Sequence, residues 1–556
     1  MSISRLILLG IACSLLALAF IDAFAITPNL IFWHLLAIHD LPAAWLMVGM
    51  LAFGYWFGAR RSGDGSSVEQ LLLALDRQRY VVALVLWVAL CAGTVWIYQN
   101  QPLSMDEYAA VFQAKVFAAG AMHGQFPPDL LDYLVPPRFQ NQFLMINRNT
   151  GAVFSAYWPG FALLLSPFVW LGIPWACNPT LVVASFLLIG RIARDLIASP
   201  LAAGWALLFA LASPAFVANG ITYYSMPAHL LFNLAFAWLL LAPSPLRLFL
   251  AGLVGGFALS LHNPFPHAVF AMPWIVWLAT RRGQRLRNMV FLFAGYLPTV
   301  LLMVAGWSLW QQQILHAGAQ ATALAQVVNN VPPTMVERAH GLLRGFTRVF
   351  SWPDVFIVFD RLGGLAKLWL WASPLLLLLA WWGGRDEKQP GLRLLGASAL
   401  LTFIAYFAVP FDQGHGWGYR YFHSAWGVLP VLAALGTIKL AAVEGPRALR
   451  QAALLTLLSL VAANGLRFVQ MGDFMSAHLA QLPPRPGTER TIVLHNGWGY
   501  YALDLIQNDP WLRGDEIILL SRTTADAEKI RKHFPSARKM SANSYGISMV
   551  DAGGGQ

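Results

Sequence analysis

Long apolar runs separated by short polar links dominate the hydropathy pattern of the chain. The runs are about 16 to 22 residues long, and an α-helix needs about 20 residues to cross the hydrocarbon core of a bilayer. With that length as the measure, the pattern predicts about thirteen crossings, beginning with 5–26, 41–58 and 80–98. We therefore predict an all-α polytopic membrane domain over residues 1–470.

The region 157–190 contains two apolar pieces divided by Gly172, Pro174 and Pro179. Glycine and proline interrupt helices, so this region is interpreted as a broken or partly re-entrant helix that makes one net crossing. With that choice the basic clusters alternate correctly between the two sides of the membrane. The segments expected on the outer side are 99–156, 219–225, 262–266, 311–365, 411–424 and everything after about 471.

The last part of the chain has a different pattern, with short strands and helices in alternation. The predicted strands and helices are Thr491 to His495, Tyr501 to Gln507, Glu516 to Leu520 and Ala525 to His533. Such alternation predicts a small extracytoplasmic α/β domain over 471–556, packed on the outer loops. The sequence Gly497-Trp498-Gly499-Tyr500 resembles a phosphate-binding turn, but it lacks a third glycine and is interpreted as a tight turn.

The composition agrees with a bilayer as the main solvent. Hydrophobic residues make up 58% of the chain and charged residues 11%, and the mean hydropathy is +0.57. A net charge of +11 would suit a nucleic-acid partner, but the basic residues form short clusters between apolar runs. This is the positive-inside distribution, so no nucleic acid is expected and the N-terminus is predicted to be cytoplasmic.

The first apolar segment, from Arg5 to about Ile26, has the charge and apolar core of a signal peptide. An uncleaved first span is favoured because many more spans follow. Cys13, Cys91 and Cys177 lie far apart in apolar segments, so neither a disulfide framework nor a thiolate zinc site is expected.

An acid pair follows the third predicted span, in Ser104-Met105-Asp106-Glu107-Tyr108. Ser104 and Glu107 have the spacing of a capping box, and acids in a first turn also suit the helix dipole. Alternatively, an aspartate held beside apolar walls at the membrane surface can deprotonate or orient an incoming hydroxyl or amine. The residues by themselves leave both interpretations open.

Two outer segments contain candidate phosphate ligands. Arg138 and Arg148 lie in the polar segment 99–156, which is unusually rich in polar residues for a connector. In 411–424, three glycines let the backbone approach a ligand, and Arg420 offers a planar fork that suits phosphate. An interfacial aromatic belt with a snorkelling arginine is the alternative for this second segment.

Two further features were weighed for metal, phosphate or ion coupling. His262 and His267 flank a proline-rich hairpin, where a metal or phosphate contact is conceivable and a hairpin cap is favoured. The charged residues of 311–365 are interpreted as a helix lying on the membrane. Ionisable residues inside the spans are expected to be scarce, with Asp22 and His229 almost the only candidates, which disfavours an ion-coupled carrier.

Several short motifs together resemble the polytopic GT-C glycosyltransferases, near the bacterial branch of protein O-mannosyltransferases and lipid A aminoarabinose transferases (glycosyltransferase family 39-like). The motifs are Asp106-Glu107 after an early span, Tyr157-Trp158-Pro159-Gly160-Phe161 with Leu163-Leu164-Leu165-Ser166-Pro167, Ala212-Ser213-Pro214 with Tyr223-Tyr224-Ser225-Met226-Pro227, and Gly418-Tyr419-Arg420-Tyr421. The resemblance extends over residues 80–430. It departs from the family in having two spans before the span that leads to the acids, and in lacking the family's lysine near Tyr157.

The resemblance implies inverting transfer of a sugar from a polyprenyl-phosphate donor to an extracytoplasmic acceptor, which is a glycan, a lipid or a protein. It implies a location in the bacterial inner membrane. It also implies that Asp106 is the catalytic base, with Glu107 beside it, and that Arg420 lies near the lipid phosphate. The candidate substrate contacts are Tyr157, Trp158, His262, His267, His415 and Tyr419.

Elementary physics agrees with this assignment. A leaving polyprenyl phosphate gains negative charge that a guanidinium group stabilises, and an apolar groove between spans would hold the prenyl chain. Some members of the wider fold use a divalent cation, but Asp106 and Glu107 alone are a small ligand set, so metal-independent transfer without a cofactor is expected.

Two other functions stay open. A lipid-linked sugar flippase or another carrier of cell-envelope precursors would also have many spans, although no internal repeat typical of secondary transporters is found. A non-catalytic assembly partner would use the domain 471–556 to recruit other proteins.

Overall fold

We describe the protein from a computed structural model of the 556-residue chain. The structure describes residues 2–24, 30–60, 64–281, 283–317, 352–484 and 490–551. Most of the predicted outer segment 311–365, and with it the interpretation as a charged surface helix, lies outside the described residues.

Within these ranges, seven helices are long and apolar enough to cross a membrane. They are Ile3–Phe24, Ile31–Gly58, Arg79–Trp96, Pro174–Leu196, Arg285–His316, Pro390–Ala408 and Pro446–Leu479. Shorter apolar helices are Gly160–Trp170, Ala202–Leu211, Met226–Leu240, Pro245–Leu259 and Phe265–Thr280. The predicted all-α multi-pass architecture is confirmed, while the count of about thirteen crossings stays a prediction.

The helices have the following bounds. In chain order they are α1 (Ile3–Phe24), α2 (Ile31–Leu35), α3 (Leu41–Arg60), α4 (Ser66–Arg77), α5 (Arg79–Trp96), α6 (Met105–Ala118), α7 (Leu131–Leu134), α8 (Gly160–Trp170), α9 (Cys177–Leu196), α10 (Ala202–Leu211), α11 (Pro214–Asn219), α12 (Met226–Leu240), α13 (Pro245–Leu259), α14 (Phe265–Thr280), α15 (Arg285–Thr299), α16 (Trp307–His316), α17 (Val355–Leu370), α18 (Leu376–Gly384), α19 (Pro390–Ala405), α20 (Arg420–His423), α21 (Val428–Glu444), α22 (Pro446–Leu458), α23 (Asn464–Leu479) and α24 (Thr524–His533). The π-helical segments Leu36–Asp40, Val300–Gly306 and Ser459–Ala463 join α2 to α3, α15 to α16 and α22 to α23.

Small residues let neighbouring helices of the bundle approach closely. A Cβ atom on Gly252 of α13 would lie 2.0 Å from the carbonyl oxygen of Leu292, and one on Gly295 of α15 would lie 2.0 Å from that of Phe249. In a bilayer, where lipid tails are as apolar as leucine, such backbone contact is a main source of helix association. The α13–α15 pair therefore depends on these two glycines.

The region 157–190 is interrupted in the middle, as the sequence predicts. Helix α8 ends at Trp170, Gly172 adopts a φ of +74°, and a 3-10 turn at Pro174–Ala176 leads into α9. The side chain of Trp170 is 74% exposed, so the end of α8 faces the surroundings of the bundle. The short α8 starts at the candidate site and leads away from it into the apolar part of the protein.

The second span begins earlier than the predicted range 41–58. The stretch just before that range contains His34, His39 and Asp40. In the structure, α2 starts at Ile31 and continues through the π-helical segment into α3. A helix accommodates such residues when protein partners, not lipid, surround them.

A buried ionic cluster joins this span to α17 and α23. Asp40 accepts hydrogen bonds from Lys367 Nζ at 2.6 Å and from Arg467 Nη2 at 2.7 Å. Trp371 Nε1 donates to the same carboxylate at 2.6 Å. The three charged residues are at most 1% exposed. The expectation that ionisable residues inside the spans are scarce is therefore wrong, because these three charges come together only in the folded bundle.

Two small sheets lie outside the helical bundle. The segment 99–156 contains β1 (Gly124–Gln125), β2 (Leu144–Ile146) and β3 (Ala152–Ser155), which form an antiparallel sheet in the order β1-β3-β2. The C-terminal part forms a sheet in the order β5-β4-β7-β6, in which only the β4–β5 pair is parallel. Its strands are β4 (Thr491–His495), β5 (Glu516–Leu520), β6 (Ala537–Asn543) and β7 (Gly546–Asp551).

The C-terminal sheet agrees with the sequence in its first half and differs in its second. The bounds of β4 and β5 and the helix α24 match the prediction, whereas the predicted helix Tyr501 to Gln507 is only a 3-10 turn at Ala502–Leu505. Strands β6 and β7 were not predicted. No side chain of β6 is fully buried and four of its seven residues are polar, so the strand lacks the apolar alternation that would have shown it.

The C-terminal domain and the segment 99–156 share one apolar core. Tyr108, Phe112 and Phe126 of the segment pack in the same cluster as Ile492 and Leu519 of the sheet. The proposed boundary at 470 falls inside α23, which continues to Leu479. The C-terminal domain thus packs against the segment 99–156, which contains α6.

Candidate active site

Asp106 lies in the first turn of α6 and has a charged partner. Arg420 Nη2 donates to Asp106 Oδ2 at 2.9 Å, and the hydroxyl of Tyr157 donates to Oδ1. The side chains of Arg420 and Asp106 are 12% and 23% exposed. Three segments that are far apart in the sequence thus meet at one carboxylate.

The ion pair controls the protonation of Asp106. Burial by itself would raise the pKa of this carboxyl, but the charge of Arg420, with smaller effects from His262 and Tyr157, holds the pKa below its usual range. The carboxylate is therefore ionised at neutral pH and is a weak base as long as Arg420 stays beside it.

The loop before α20 fixes Arg420 through the backbone. Arg420 Nη1 donates to the carbonyl oxygens of Gln413 at 3.0 Å and His415 at 2.5 Å, and its backbone N–H donates to Gln413 Oε1 at 2.9 Å. Gly416 has a φ of +144°, and a Cβ atom there would lie 2.2 Å from Arg420 Cδ. A glycine is therefore required at this position for the arginine to fold back over its own loop.

A second arginine, Arg361, bonds the backbone at the start of this loop. Arg361 is 1% exposed and donates to the carbonyl oxygens of Tyr406, Val409 and Phe411 at 2.8, 2.7 and 2.8 Å. It thereby joins three carbonyl groups of the turn and loop that follow α19. No sequence pattern indicated this role.

A narrow pocket opens beside the ion pair. Its polar lining residues include Asp106, Ser155, Ser225, His262 and Arg420. Its apolar lining residues include Phe161, Ala162 and Leu261, together with Trp158. The lining thus combines groups suited to a sugar or phosphate with groups suited to a hydrocarbon chain.

His262 and Tyr157 also line the pocket. Their ring centroids are 3.8 Å apart. Burial lowers the pKa of His262 to about 4, so the imidazole is neutral at pH 7. Of the described residues that line the pocket, Arg420 is therefore the one that carries a positive charge at neutral pH.

Glu107 points away from the pocket and is held inside the protein. It is 0% exposed and accepts hydrogen bonds from the Tyr98 hydroxyl at 3.0 Å, the Leu103 N–H at 2.5 Å and the Tyr223 N–H at 2.9 Å. Burial raises its pKa to about 7. Glu107 joins the residues after α5, the loop before α6 and the segment 219–225. It does not line the pocket, so its predicted catalytic role beside Asp106 gains no support from the pocket.

The predicted capping box is wrong. Ser104 makes no side-chain capping bond, and its hydroxyl pairs with that of Tyr224 at 2.9 Å. The N–H of Met105 is satisfied by Asp504 Oδ1 of the C-terminal domain at 2.8 Å. Burial raises the pKa of Asp504 to about 7. Tertiary contacts have replaced the local cap, so the C-terminal domain fixes the start of α6.

Several predicted site residues lie away from the pocket. Arg148 forms a surface ion pair with Asp132 at 2.8 Å, and Arg138 is exposed and does not line the pocket. His267 is buried among the spans, where its ring nitrogens contact Asn233 and Tyr296, both at 2.7 Å. The structure therefore does not bring Arg148, Arg138 or His267 to the carboxylate of Asp106.

The side chains of His415 and Tyr419, both in the loop that leads to Arg420, are buried. The carbonyl of His415 holds the guanidinium, while its imidazole is buried against Phe474 with a centroid distance of 5.1 Å. The ring of Tyr419 is buried beside Phe403 at 6.1 Å. Neither side chain lines the pocket. The residue that the sequence missed is Tyr224, whose ring lies 4.1 Å from the Arg420 guanidinium carbon.

The acid pair does not fit a divalent cation as the residues stand. Each carboxylate oxygen of Asp106 and of Glu107 already accepts a hydrogen bond. Among the described residues, no group of three or more His, Cys, Asp or Glu is arranged to hold a metal ion. Metal independence stays a prediction.

Comparison with known proteins identifies the fold. No protein-family model matches the chain, and the curated proteins contain no match. Among solved structures, the chain is similar to ArnT from Cupriavidus metallidurans bound to undecaprenyl phosphate, with a TM-score of 0.50 and 12% identity over 85% of this chain and 97% of that one. For the apo state of that protein the TM-score is 0.47 with 12% identity, over 86% and 98% of the two chains. The chain thus has the polytopic membrane fold of ArnT, in agreement with the GT-C resemblance of its motifs.

Proposed function

We propose that the protein is a membrane glycosyltransferase that moves a sugar from a polyprenyl-phosphate donor to an extracytoplasmic glycan, lipid or protein. The observation that carries the proposal is the Asp106–Arg420 pair at 2.9 Å, set in a pocket lined by both polar and apolar residues. A base and a phosphate-binding cation are the two groups that this reaction needs most. The ArnT fold, whose solved example is bound to undecaprenyl phosphate, agrees with this class.

In the proposed reaction, Asp106 accepts the proton of the acceptor hydroxyl or amine. The acceptor atom forms a bond to the anomeric carbon as the bond between that carbon and the phosphate oxygen breaks. The electron pair of the broken bond stays on the phosphate, which leaves as polyprenyl phosphate with one more negative charge. Arg420 stabilises that charge in a site with little water, where it has a larger effect than in solution.

A single displacement with inversion agrees best with the residues of the pocket. Double displacement on sugars uses two cooperating carboxyl groups, one as nucleophile and one as acid and base. Asp106 lines the pocket, whereas Glu107 is 0% exposed and bonded on the far side of α6. A reaction with one carboxylate as base is therefore the simpler proposal.

The apolar lining residues support a lipid-linked donor. Phe161 and Ala162 lie in the first turn of α8, which continues to Trp170 with its 74% exposed side chain. A prenyl chain that enters beside Phe161 would follow α8 toward the bilayer with apolar contacts along its length. The phosphate would then lie beside Arg420.

The alternative of a lipid-linked sugar carrier gains no specific support. Charges inside the bundle are what an ion-coupled carrier needs, and Asp40, Lys367 and Arg467 are such charges. However, they are paired with one another and at most 1% exposed. They offer no charged group to an ion or a substrate, so a structural role suits them better.

The proposal includes an inner-membrane location with a cytoplasmic N-terminus and an outer C-terminal domain. This orientation would present the pocket to the periplasm or to the cell exterior, where the acceptor lies. Reporter enzymes fused at the C-terminus and in the link between α3 and α4 test it. Periplasmic activity from the link fusion would overturn the orientation.

The test of the function is transfer by purified protein in lipid nanodiscs. A radiolabelled polyprenyl-phosphate sugar and cell-envelope acceptors are supplied, and Asp106→Asn is expected to lower the rate by about 10²- to 10⁴-fold, as loss of a general base does. Asp132→Asn, which removes an exposed carboxylate of the same segment, is the matched control and should transfer normally. Undiminished transfer by a folded Asp106→Asn protein would overturn the mechanism.

A further inference from the structure

The base and the phosphate ligand of the proposed reaction are bonded to each other in this structure. Arg420 Nη2 occupies one carboxylate oxygen of Asp106, and the Tyr157 hydroxyl occupies the other. Each oxygen keeps a second lone pair, but the adjacent guanidinium makes the carboxylate a weak base for an acceptor proton. The resting arrangement is therefore poorly suited to transfer.

The charge of the pocket leads to the same conclusion. Arg420 carries the one positive charge at neutral pH among the described lining residues, and Asp106 cancels it. A donor phosphate is negatively charged, and its charge grows as the lipid leaves. The anion gains little from a cation that is already neutralised at 2.9 Å.

The contacts of Arg420 show which bond can be exchanged. Its Nη1 is fixed by two backbone carbonyls, of Gln413 and His415, and its guanidinium carbon lies 4.1 Å from the Tyr224 ring centre. These contacts hold the guanidinium in place whatever Asp106 does. Only Nη2 faces the carboxylate, so a small movement of that one contact is enough to change its partner.

We infer that the donor phosphate replaces Asp106 as the partner of Arg420 Nη2, and that this exchange releases Asp106 to act as base. The inference rests on the proposed function and adds how the base Asp106 is regulated by donor binding. Tyr157 stays bonded to the other oxygen and acts as a positioning residue. The base is then activated only when donor is bound, because burial makes the carboxylate a stronger base once the neighbouring cation is neutralised.

The exchange predicts an unusual effect of the catalytic substitution. Asp106→Asn removes the competing negative charge, so it should strengthen binding of a lipid phosphate while it abolishes transfer. An ordinary binding residue would do the opposite. We expect roughly tenfold tighter binding, the size of effect that one partly buried ion pair produces.

The experiment measures binding of undecaprenyl phosphate to the full-length protein in nanodiscs, with inorganic phosphate as a second probe. Asp106→Asn is expected to bind the lipid tighter than wild type, and Arg420→Gln to bind it at least tenfold weaker. In the double variant the gain from Asp106→Asn should disappear, since there is no cation left to release. Asp132→Asn should bind as wild type does.

Asp106→Glu separates charge from the change of side chain. It keeps the negative charge beside Arg420, so it should not show the gain in lipid affinity expected of Asp106→Asn. Unchanged or weaker lipid binding by a folded Asp106→Asn protein would overturn the exchange, even if transfer depends on Asp106 and the proposed function stands. Failure of the wild type to bind the lipid would overturn the proposed function itself. Equal gain with inorganic phosphate would show that the headgroup alone, without the prenyl chain, drives the exchange.

Discussion

Glu107 and Asp106 are neighbours in the sequence, and the structure predicts opposite results when each is changed. Glu107→Ala removes the acceptor of three buried donors, namely the Tyr98 hydroxyl and the N–H groups of Leu103 and Tyr223. The loss should unfold the loop that contains Leu103 and precedes α6, and it should not merely slow the reaction. Glu107→Gln keeps one carbonyl oxygen and should preserve most of these bonds.

The magnitude follows from the number of donors. A buried donor left without a partner costs about 1–3 kcal/mol, so three donors cost about 3–9 kcal/mol in Glu107→Ala. That is a large share of the about 5–15 kcal/mol by which folded domains are stable. In Glu107→Gln, the new amide faces one donor that it cannot satisfy, and the expected cost is about 1–3 kcal/mol.

The assay combines folding and activity. Thermal unfolding of the nanodisc-bound protein gives the stability, and transfer is expressed per folded molecule. Glu107→Gln should keep transfer within about tenfold of wild type, whereas Asp106→Asn should lose about 10²- to 10⁴-fold with little change in stability. If Glu107→Gln folds like wild type and is as inactive as Asp106→Asn, the structural interpretation of Glu107 is refuted.

Three further predictions concern other parts of the molecule. Asp40→Asn leaves two buried cations without their shared anion and should destabilise the protein by about 3–5 kcal/mol, measured by thermal unfolding, whereas Asp22→Asn, at an exposed site, should not. Asp504→Ala removes the acceptor of the Met105 N–H and should lower kcat with little change in KM, and Asp504→Asn should restore most of the activity; equal loss in both would show that the charge matters instead of the bond. EDTA should leave transfer unchanged, and restoration of a lost rate by a divalent cation would contradict metal independence.

Local sequence patterns predicted the parts of the fold that depend on neighbouring residues in the chain. The apolar runs determine that the chain lies in a membrane, since helical segments of such length and composition are stable in lipid and not in water. Strands β4 and β5 have the predicted bounds because their apolar alternation is continuous. Asp106 was found because it follows a span directly and because its motif resembles a known family.

These local patterns could not predict contacts between residues that are far apart in the sequence. Asp40 is separated by 327 positions from Lys367 and by 427 from Arg467, and each looks like an ordinary polar residue near a segment end. Asp504 reaches Met105 across 399 positions. No sequence feature near Asp504 or Met105 indicates that the two residues bond to each other. The cap of α6 was therefore assigned to Ser104, which directly precedes the helix.

The acid pair shows where the two kinds of information divide. The sequence by itself determined that two carboxylates stand at the start of a helix beside the membrane, because hydropathy and helix signals are local. Adjacent helical residues point roughly 100° apart, so the two carboxylates need not face the same pocket. Only the tertiary structure decided that Asp106 meets Arg420 while Glu107 is enclosed by Tyr98, Leu103 and Tyr223, since packing of distant segments sets which face of α6 is exposed.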